Sequence, residues 1–276
     1  MLPGNGKTSA RPPAVAGLFY PAAAAELRDA VTRYLDEASV VDLPASPKAL
    51  IVPHAGYIYS GSVAAAAYAS VKTLRSKIKR IVLLGPSHRV YLQGIAVPEW
   101  REFVTPLGGT RIDEEYKALL LEQAKVVASD TPHAMEHSLE VQLPFLQTLF
   151  EDFTLLPLVA GAASPGHVAS VLASVWGGED TLVLISSDLS HYHNYEVAQQ
   201  LDRATSADIL RYSTHLTGEQ ACGAVCINGL THLARERKMQ LREIARLNSG
   251  DTAGDRARVV GYGAFAVHEP DRIAAA

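Results

Sequence analysis

Short apolar runs alternate along this chain with stretches in which apolar residues recur every three or four positions. The runs at 48–56 (KALIVPHAG), 79–88 (KRIVLLGPSH), 94–99 (GIAVPE), 153–161 (FTLLPLVAG), 181–191 (TLVLISSDLSH) and 258–269 (RVVGYGAFAVHE) predict strands. Several are apolar at consecutive rather than alternate positions, the mark of strands covered on both faces. Helices are expected between them, over 22–37, 60–75, 113–124, 139–150, 165–176, 194–212 and 221–237. This alternation predicts an α/β fold: a three-layer sandwich with a central, largely parallel or mixed sheet. No internal repeat and no long linker rich in Pro, Gly or Ser interrupts it. One domain is expected over 11–269, with short tails at 1–10 and 270–276.

In an open α/β sheet, ligands bind at the carboxyl ends of the strands, where loops diverge and helix N-termini face the crevice. Three runs end in that position on histidine-bearing segments: IVPHAG on His54, LLGPSH on His88, and ISSDLSH on Asp188 and His191. A single histidine after a strand is ordinarily a turn or surface residue. Three repetitions favour a shared site, and histidine is the commonest metal ligand and acid–base group.

Two further segments can reach that edge. DTPHAMEHSLEVQLPFL holds His133, Glu136, His137, Glu140 and Gln142; it lacks the HExxH zinc pattern, but His137 and Glu140, three apart, share a helix face. Capping and surface roles serve Glu136 and His133 equally well. LNSGDTAGD offers Asp251 and Asp255, although SGD also makes ordinary turns. Two imidazoles and one carboxylate form the facial set that holds non-haem Fe(II) with open positions, and zinc accepts the same ligands for hydrolysis. Ligand types alone leave both open. No GxSxG elbow, GxGxxG fingerprint or phosphate loop competes; GNGKTS near the start lacks the first glycine and a preceding strand.

Composition narrows the partners. The 276 residues are 48% hydrophobic and 20% charged, as in ordinary soluble domains, with a formal net charge of −4. Nucleic acid and anionic membranes call for clustered Lys and Arg, so neither is an expected partner. The densest basic run, KTLRSKIKR, reads as a solvated helix face. The start has no long apolar stretch, so neither a signal peptide nor a membrane anchor is expected, and the expected location is cytoplasmic. Cys222 and Cys226, four apart in ACGAVCINGL, are expected on one helix face as buried small residues, with no disulfide and no metal.

Taken in order, RPPAVAGLFYP, VPHAGYIYSG, LLGPSH, EHSLEVQLPFL, SSDLSH and VVGYGAFAVHE resemble the Memo-like family, also called AmmeMemoRadiSam system protein B, from about Arg11 to Glu269. That family is in turn similar to the catalytic subunits of class III extradiol (LigB-type) dioxygenases. The resemblance implies a LigB-type fold and Fe(II), with copper or zinc as alternatives. It implies metal ligands at His54 and His88, an acid–base role for His191 oriented by Asp188, and a further active-site histidine at His137. Animal members carry a cysteine as third ligand and the dioxygenases a glutamate. In NSGDTAGD the position falls to Asp251, with Asp255, Thr252 by ungapped counting, or His191 as alternatives. The implied function is a non-haem iron oxidoreductase of extradiol type acting on a small aromatic ligand. The alternatives are a non-catalytic module binding a peptide or protein, and a zinc hydrolase. Microbial members further imply a functional link to AMMECR-type and radical SAM proteins.

Overall fold

All six apolar runs form strands. The computed structural model describes residues 9–39 and 41–270. Its strands are β1 (Ala10–Arg11), β2 (Ala49–Val52), β3 (Arg80–Pro86), β4 (Ile95–Val97), β5 (Glu102–Thr105), β6 (Gly108–Arg111), β7 (Val126–Ala128), β8 (Thr154–Ala160), β9 (Thr181–Ser186), β10 (His191–His193), β11 (Gln240–Asn248) and β12 (Val259–His268). Nine of them make one sheet in the order β10-β12-β2-β9-β3-β8-β4-β7, with β11 paired along β12. The central four run parallel, in registers such as Ile51 with Ile185, Val82 with Val183 and Leu84 with Leu158. Antiparallel partners flank them, β4 on β8 and β12 on β2, so the sheet is mixed.

The consecutive apolar positions divide between two faces. Leu50, Val52, Ile81, Leu83, Leu182 and Leu184 join one core, beneath the helices Ala24–Glu37, Tyr57–Ala69 and Leu143–Leu149. Ala49, Ile51, Val82, Leu84, Val183 and Ile185 join the other, beneath Pro165–Ser174 and Ala224–Glu236. Each fully buried Val, Leu or Ile contributes roughly 1.5–3 kcal/mol, an upper value against a compact unfolded chain. Two-sided burial is what forbids polar residues in these strands until they emerge at their carboxyl ends. Those ends lie at one edge, because the four strands are parallel.

Several expectations shift in detail. The helix expected over 139–150 splits into His137–Glu140 and Leu143–Leu149, with Pro144 in the first turn of the second, where its missing N–H is not needed. The helix expected from 221 starts at Ala224, leaving Cys222 in the turn ahead of it. Strand β11 escapes the apolar-run criterion because Arg242, Glu243 and Arg246 interleave with its apolar residues on a half-exposed edge. A separate sheet, β1-β5-β6, takes in part of the expected N-terminal tail: Ala10 pairs with Glu102, and Arg101 N–H donates to Ser9. The rest of that tail, and 271–276 of the C-terminal one, lie outside the described residues. No helix among the described residues is long and apolar enough to cross a membrane.

Candidate metal centre

His54 leaves β2 two residues past its end and is buried; its main-chain N–H donates to Asp188 at 2.7 Å. Its ring Nδ1 lies 2.9 Å from Ser186 Oγ. That hydroxyl already donates to the Ser138 carbonyl at 2.6 Å and accepts from Gln142 Nε2 at 2.9 Å. With its one proton spent, Ser186 can only accept from His54. The tautomer follows: Nδ1 carries the hydrogen and Nε2 keeps its lone pair.

His88 arrives by an equivalent route. Its Nδ1 donates to Glu136 Oε1 at 2.8 Å and its main-chain N–H to Glu136 Oε2 at 2.7 Å. Burial alone would raise the Glu136 carboxyl, but the bonds from His88 and from the Ser138 amide hold it down at about 2. Glu136 is therefore a carboxylate, and it also caps the short helix His137–Glu140. A histidine braced in this way presents Nε2 outward, the arrangement metal-binding histidines use.

The third group is a thiol. Cys222 Sγ sits 3.2 Å from His54 Nε2, accepts the Asp188 main-chain N–H at 3.3 Å, and forms with the two histidines a set whose ligand atoms all lie within 4.8 Å of one another. The turn is held by Gly223, whose N–H donates to Ser187 Oγ at 2.9 Å. A Cβ at Gly223 would stand 2.7 Å from Ser187 Cβ and 2.8 Å from the Ser186 carbonyl, so only glycine lets the turn press against the end of β9. Burial, then the Asp188 charge, pushes the Cys222 thiol up to about 12. Unligated, it is a thiol that donates to His54; a metal would displace that proton.

Two more imidazoles close the group. The His137 ring centroid lies 4.7 Å from His88 and 5.2 Å from His54. Burial brings His137 down to about 4, Glu136 pulling upward and the His88 and Arg89 charges downward. Burial also lowers His191 and, with the His137, His88 and His191 charges added, takes His54 well below its usual range. All three are neutral near pH 7. Burial lifts Asp188 to about 7, against the His54 and Ala55 amides that favour its charge.

The cluster opens onto a cavity of about 580 Å³, lined by Phe19, Tyr59, His137, Asp188, His191, Tyr192, Arg258 and Tyr262 among others. Its N-terminal wall is pinned from below. Arg11 donates to Glu140 Oε2 and to the carbonyls of His133 and Glu136, at 2.7–2.8 Å. The other Glu140 contacts are the amides of Ala14 and Val15 and the Tyr20 hydroxyl, all within 3.0 Å. A fully buried ion pair thus anchors both Phe19 and the segment bearing Glu136 and His137.

The residues expected from the sequence are gathered with one substitution. His54, His88, His137, Asp188 and His191 all face the cluster or its cavity. Asp251 does not join it. Its Oδ1 accepts from the Tyr195 hydroxyl and its Oδ2 from Asn248 N–H at 2.9 Å, a capping box closing the turn Ser249–Asp251. The alternatives are also spent locally: Asp255 accepts the Ala257 and Arg258 amides, and the Thr252 hydroxyl donates to the Ser249 carbonyl. His191 lines the cavity outside the donor set. The expectation for the cysteines is corrected in part. Both are free and Cys226 is fully buried, but Cys222 precedes the helix and belongs to the donor set. The signal that could have found it is the Cys-Gly pair opening a helix that faces the same sheet edge.

The Memo-like protein family matches residues 11–266. A MEMO1 family protein of Ignicoccus hospitalis is 37% identical, over 92% of this chain and 97% of its own length. Those of Aquifex aeolicus and Sulfolobus acidocaldarius are 34% and 32% identical, each over 91% of this chain and 97% of their own. Among solved structures, an uncharacterized protein from Escherichia coli K12 aligns with 79% of this chain and 98% of its own at 11% identity, with a TM-score of 0.49.

Proposed function

This chain belongs to the Memo-like protein family, and we propose that it binds a single redox-active metal ion, iron or copper, through His54 Nε2, His88 Nε2 and Cys222 Sγ. The observation that carries the reading is that these three residues each offer one ligand atom within 4.8 Å of the others, with both Nδ1 positions already committed elsewhere. The donor set fits such an ion: imidazole suits iron, copper and zinc, and a thiolate adds the soft ligand that magnesium and calcium do not take. When bound, the ion would supply a Lewis acid and an exchangeable electron beside the cavity.

The protein's own part is binding and proton handling. Tyr59, Phe19 and Tyr262 flank a flat ligand. His191 and His137, both neutral near pH 7, are placed to accept a proton from the hydroxyl of a ligand in the cavity. Asp188 holds the His54 backbone in place. This is the machinery an oxidoreductase of extradiol type needs, with a thiol where the two-histidine, one-carboxylate set has its carboxylate. Zinc accepts the same three donors and would make the site hydrolytic.

The test loads anaerobically purified protein with Fe(II), Cu(I) or Zn(II) and measures stoichiometry and affinity beside Cys222→Ser, followed by oxygen uptake with catechols. One equivalent of iron or copper, lost in Cys222→Ser, is expected. Retention of zinc alone favours the hydrolase. No binding of any of the three metals, or binding indifferent to Cys222→Ser, overturns the site.

A further inference from the structure

Of the polar residues in EHSLEVQLPFL, Gln142 supplies no atom to the donor set, yet it is buried between two residues of the apolar core, Val141 and Leu143. A buried amide costs free energy unless its polar atoms find partners. Here both amide hydrogens and the oxygen do. Gln142 Nε2 donates to the Pro53 carbonyl and to Ser186 Oγ, each at 2.9 Å, and Oε1 accepts from the Tyr68 hydroxyl at 2.7 Å. Although Gln142 stands just ahead of the helix Leu143–Leu149, its side chain caps nothing there.

The direction of these bonds is fixed. The Pro53 carbonyl can only accept, so the amide end facing it is nitrogen, and the oxygen faces Tyr68. Tyr68 is fully buried on the helix Tyr57–Ala69, its ring stacked on Phe145 with centroids 5.0 Å apart. A phenol held in this way sets the rotation of the amide. The amide in turn grips His54 from two sides. Pro53 is the residue before it, and Ser186 Oγ is the group against its ring Nδ1. The Pro53–His54 peptide is thus bonded at both ends, its oxygen by Gln142 and its N–H by Asp188. Ser186 is equally held, giving its proton to the Ser138 carbonyl and receiving one from Gln142. An imidazole fixed at its backbone and at Nδ1 keeps one free direction, that of Nε2, 3.2 Å from Cys222 Sγ.

We infer that Gln142 is a positioning residue for His54, with Tyr68 behind it: together they aim Nε2 at the donor centre while contributing no donor atom. The consequence for metal affinity rests on the proposed metal site. The aim of the ring does not, because it belongs to the metal-free chain. The bonds that satisfy this buried amide converge on one histidine and close no helix or turn, which is what separates positioning from ordinary core polarity.

The experiment compares Gln142→Met, Gln142→Glu and Tyr68→Phe with wild type, and with Phe145→Leu, which loosens the same core without breaking a side-chain hydrogen bond. Two quantities are read on the full chain. One is solvent exchange of the His54 Nδ1 proton, by NMR of metal-free protein carrying isotope-labelled histidine, the signal being assigned by its absence in His54→Asn. The other is Co(II) affinity, by competition with a chelator. Gln142→Met should speed the exchange about tenfold or more, because protection follows the free energy of local opening. It should also weaken Co(II) binding by about 10–100-fold, as losses behind a ligand do. Gln142→Glu keeps the shape but has one proton at most to give, so it serves Pro53 or Ser186 and should fall between. Tyr68→Phe should cost roughly two- to tenfold in affinity, the worth of one neutral hydrogen bond. Phe145→Leu should lower the melting temperature and leave both readings as in wild type. If Gln142→Met, or Gln142→Glu should the first not fold, melts lower yet exchanges and binds Co(II) as Phe145→Leu does, Gln142 merely fills the core and the inference falls. Faster exchange in the variants of a protein whose wild type binds no Co(II) would overturn the metal site and leave the positioning of His54 standing.

Discussion

Residues 221–223 and 248–255 both close over the carboxyl edge of the sheet, the first bringing a thiol and the second two carboxylates. The carboxylates are taken up at or beside their own loop: Asp251 accepts the Asn248 amide and the Tyr195 hydroxyl of a neighbouring helix, and Asp255 accepts the Ala257 and Arg258 amides. The thiol has no such local outlet. Its contacts are weak and long-range, to His54 and to the end of β9. Asx side chains compete well for nearby amides, and sulfur does not. A strong acceptor near its own backbone amides is thus removed from the site, while a poor one remains available to a metal.

The largest effect that would break this contrast is a reversal of roles. Cys222→Ala should lose most of its bound metal, while Asp251→Ala keeps it; elemental analysis of both proteins after identical loading decides. Next is the brace behind His88. Glu136→Gln should weaken metal affinity by about 10–100-fold without removing a ligand, as losses behind a ligand do, and competition with a chelator reads this directly.

A separate effect concerns acid. His133, His137 and His54 are held neutral, His133 at about 3 and His137 at about 4, below the 6.5 of an unfolded histidine. Their folded forms bind protons later than their unfolded forms do. The stability they contribute is therefore full above pH 6.5 and declines as pH falls from there toward 4 and below. Asp188 acts oppositely: raised to about 7, it favours the folded state more as pH drops from 7 toward 3.8. A net loss of a few kcal/mol between pH 6.5 and pH 4 is expected, since one pKa unit is worth about 1.4 kcal/mol. Asp188→Asn should steepen it; thermal melts across that range showing no decline would refute the assignment.

The smallest expected effect sharpens the comparison from the loop side. Asp251→Ala should cost roughly 0.5–2 kcal/mol, the worth of a cap, with metal content unchanged in the same preparation.

The fold was legible because two-sided burial writes itself as unbroken apolar runs, and His54 and His88 were legible because each ends one. Cys222 was not. No strand precedes it, and its spacing to Cys226 suggests one helix face, yet the helix begins two residues later. Asp251 misled for the complementary reason: sequence order places a carboxylate near the expected position, and only its hydrogen bonds reveal that it is occupied. The division of 139–150 was written in Pro144, whereas the fit of the first short helix against β3 depends on Gly85. There, a Cβ would meet Ser138 Oγ at 2.8 Å, a contact between residues far apart in sequence.

His54 and Cys222 stand 168 positions apart, and the bonds that orient the two histidines span 132 and 48. No short piece of the chain can gather these donors, so they meet only once β2, β3, β9 and the turn before the helix Ala224–Glu236 have assembled. Ser186 and Glu136 then hold the two rings through bonds of their own. On the proposed metal site, entry of the ion would be the final event of maturation rather than its template, in contrast to small zinc domains that fold only on binding. If the proposed ion binds, a chelator should leave a folded, reloadable protein, and the loaded fraction should follow the supply of metal and not the success of folding.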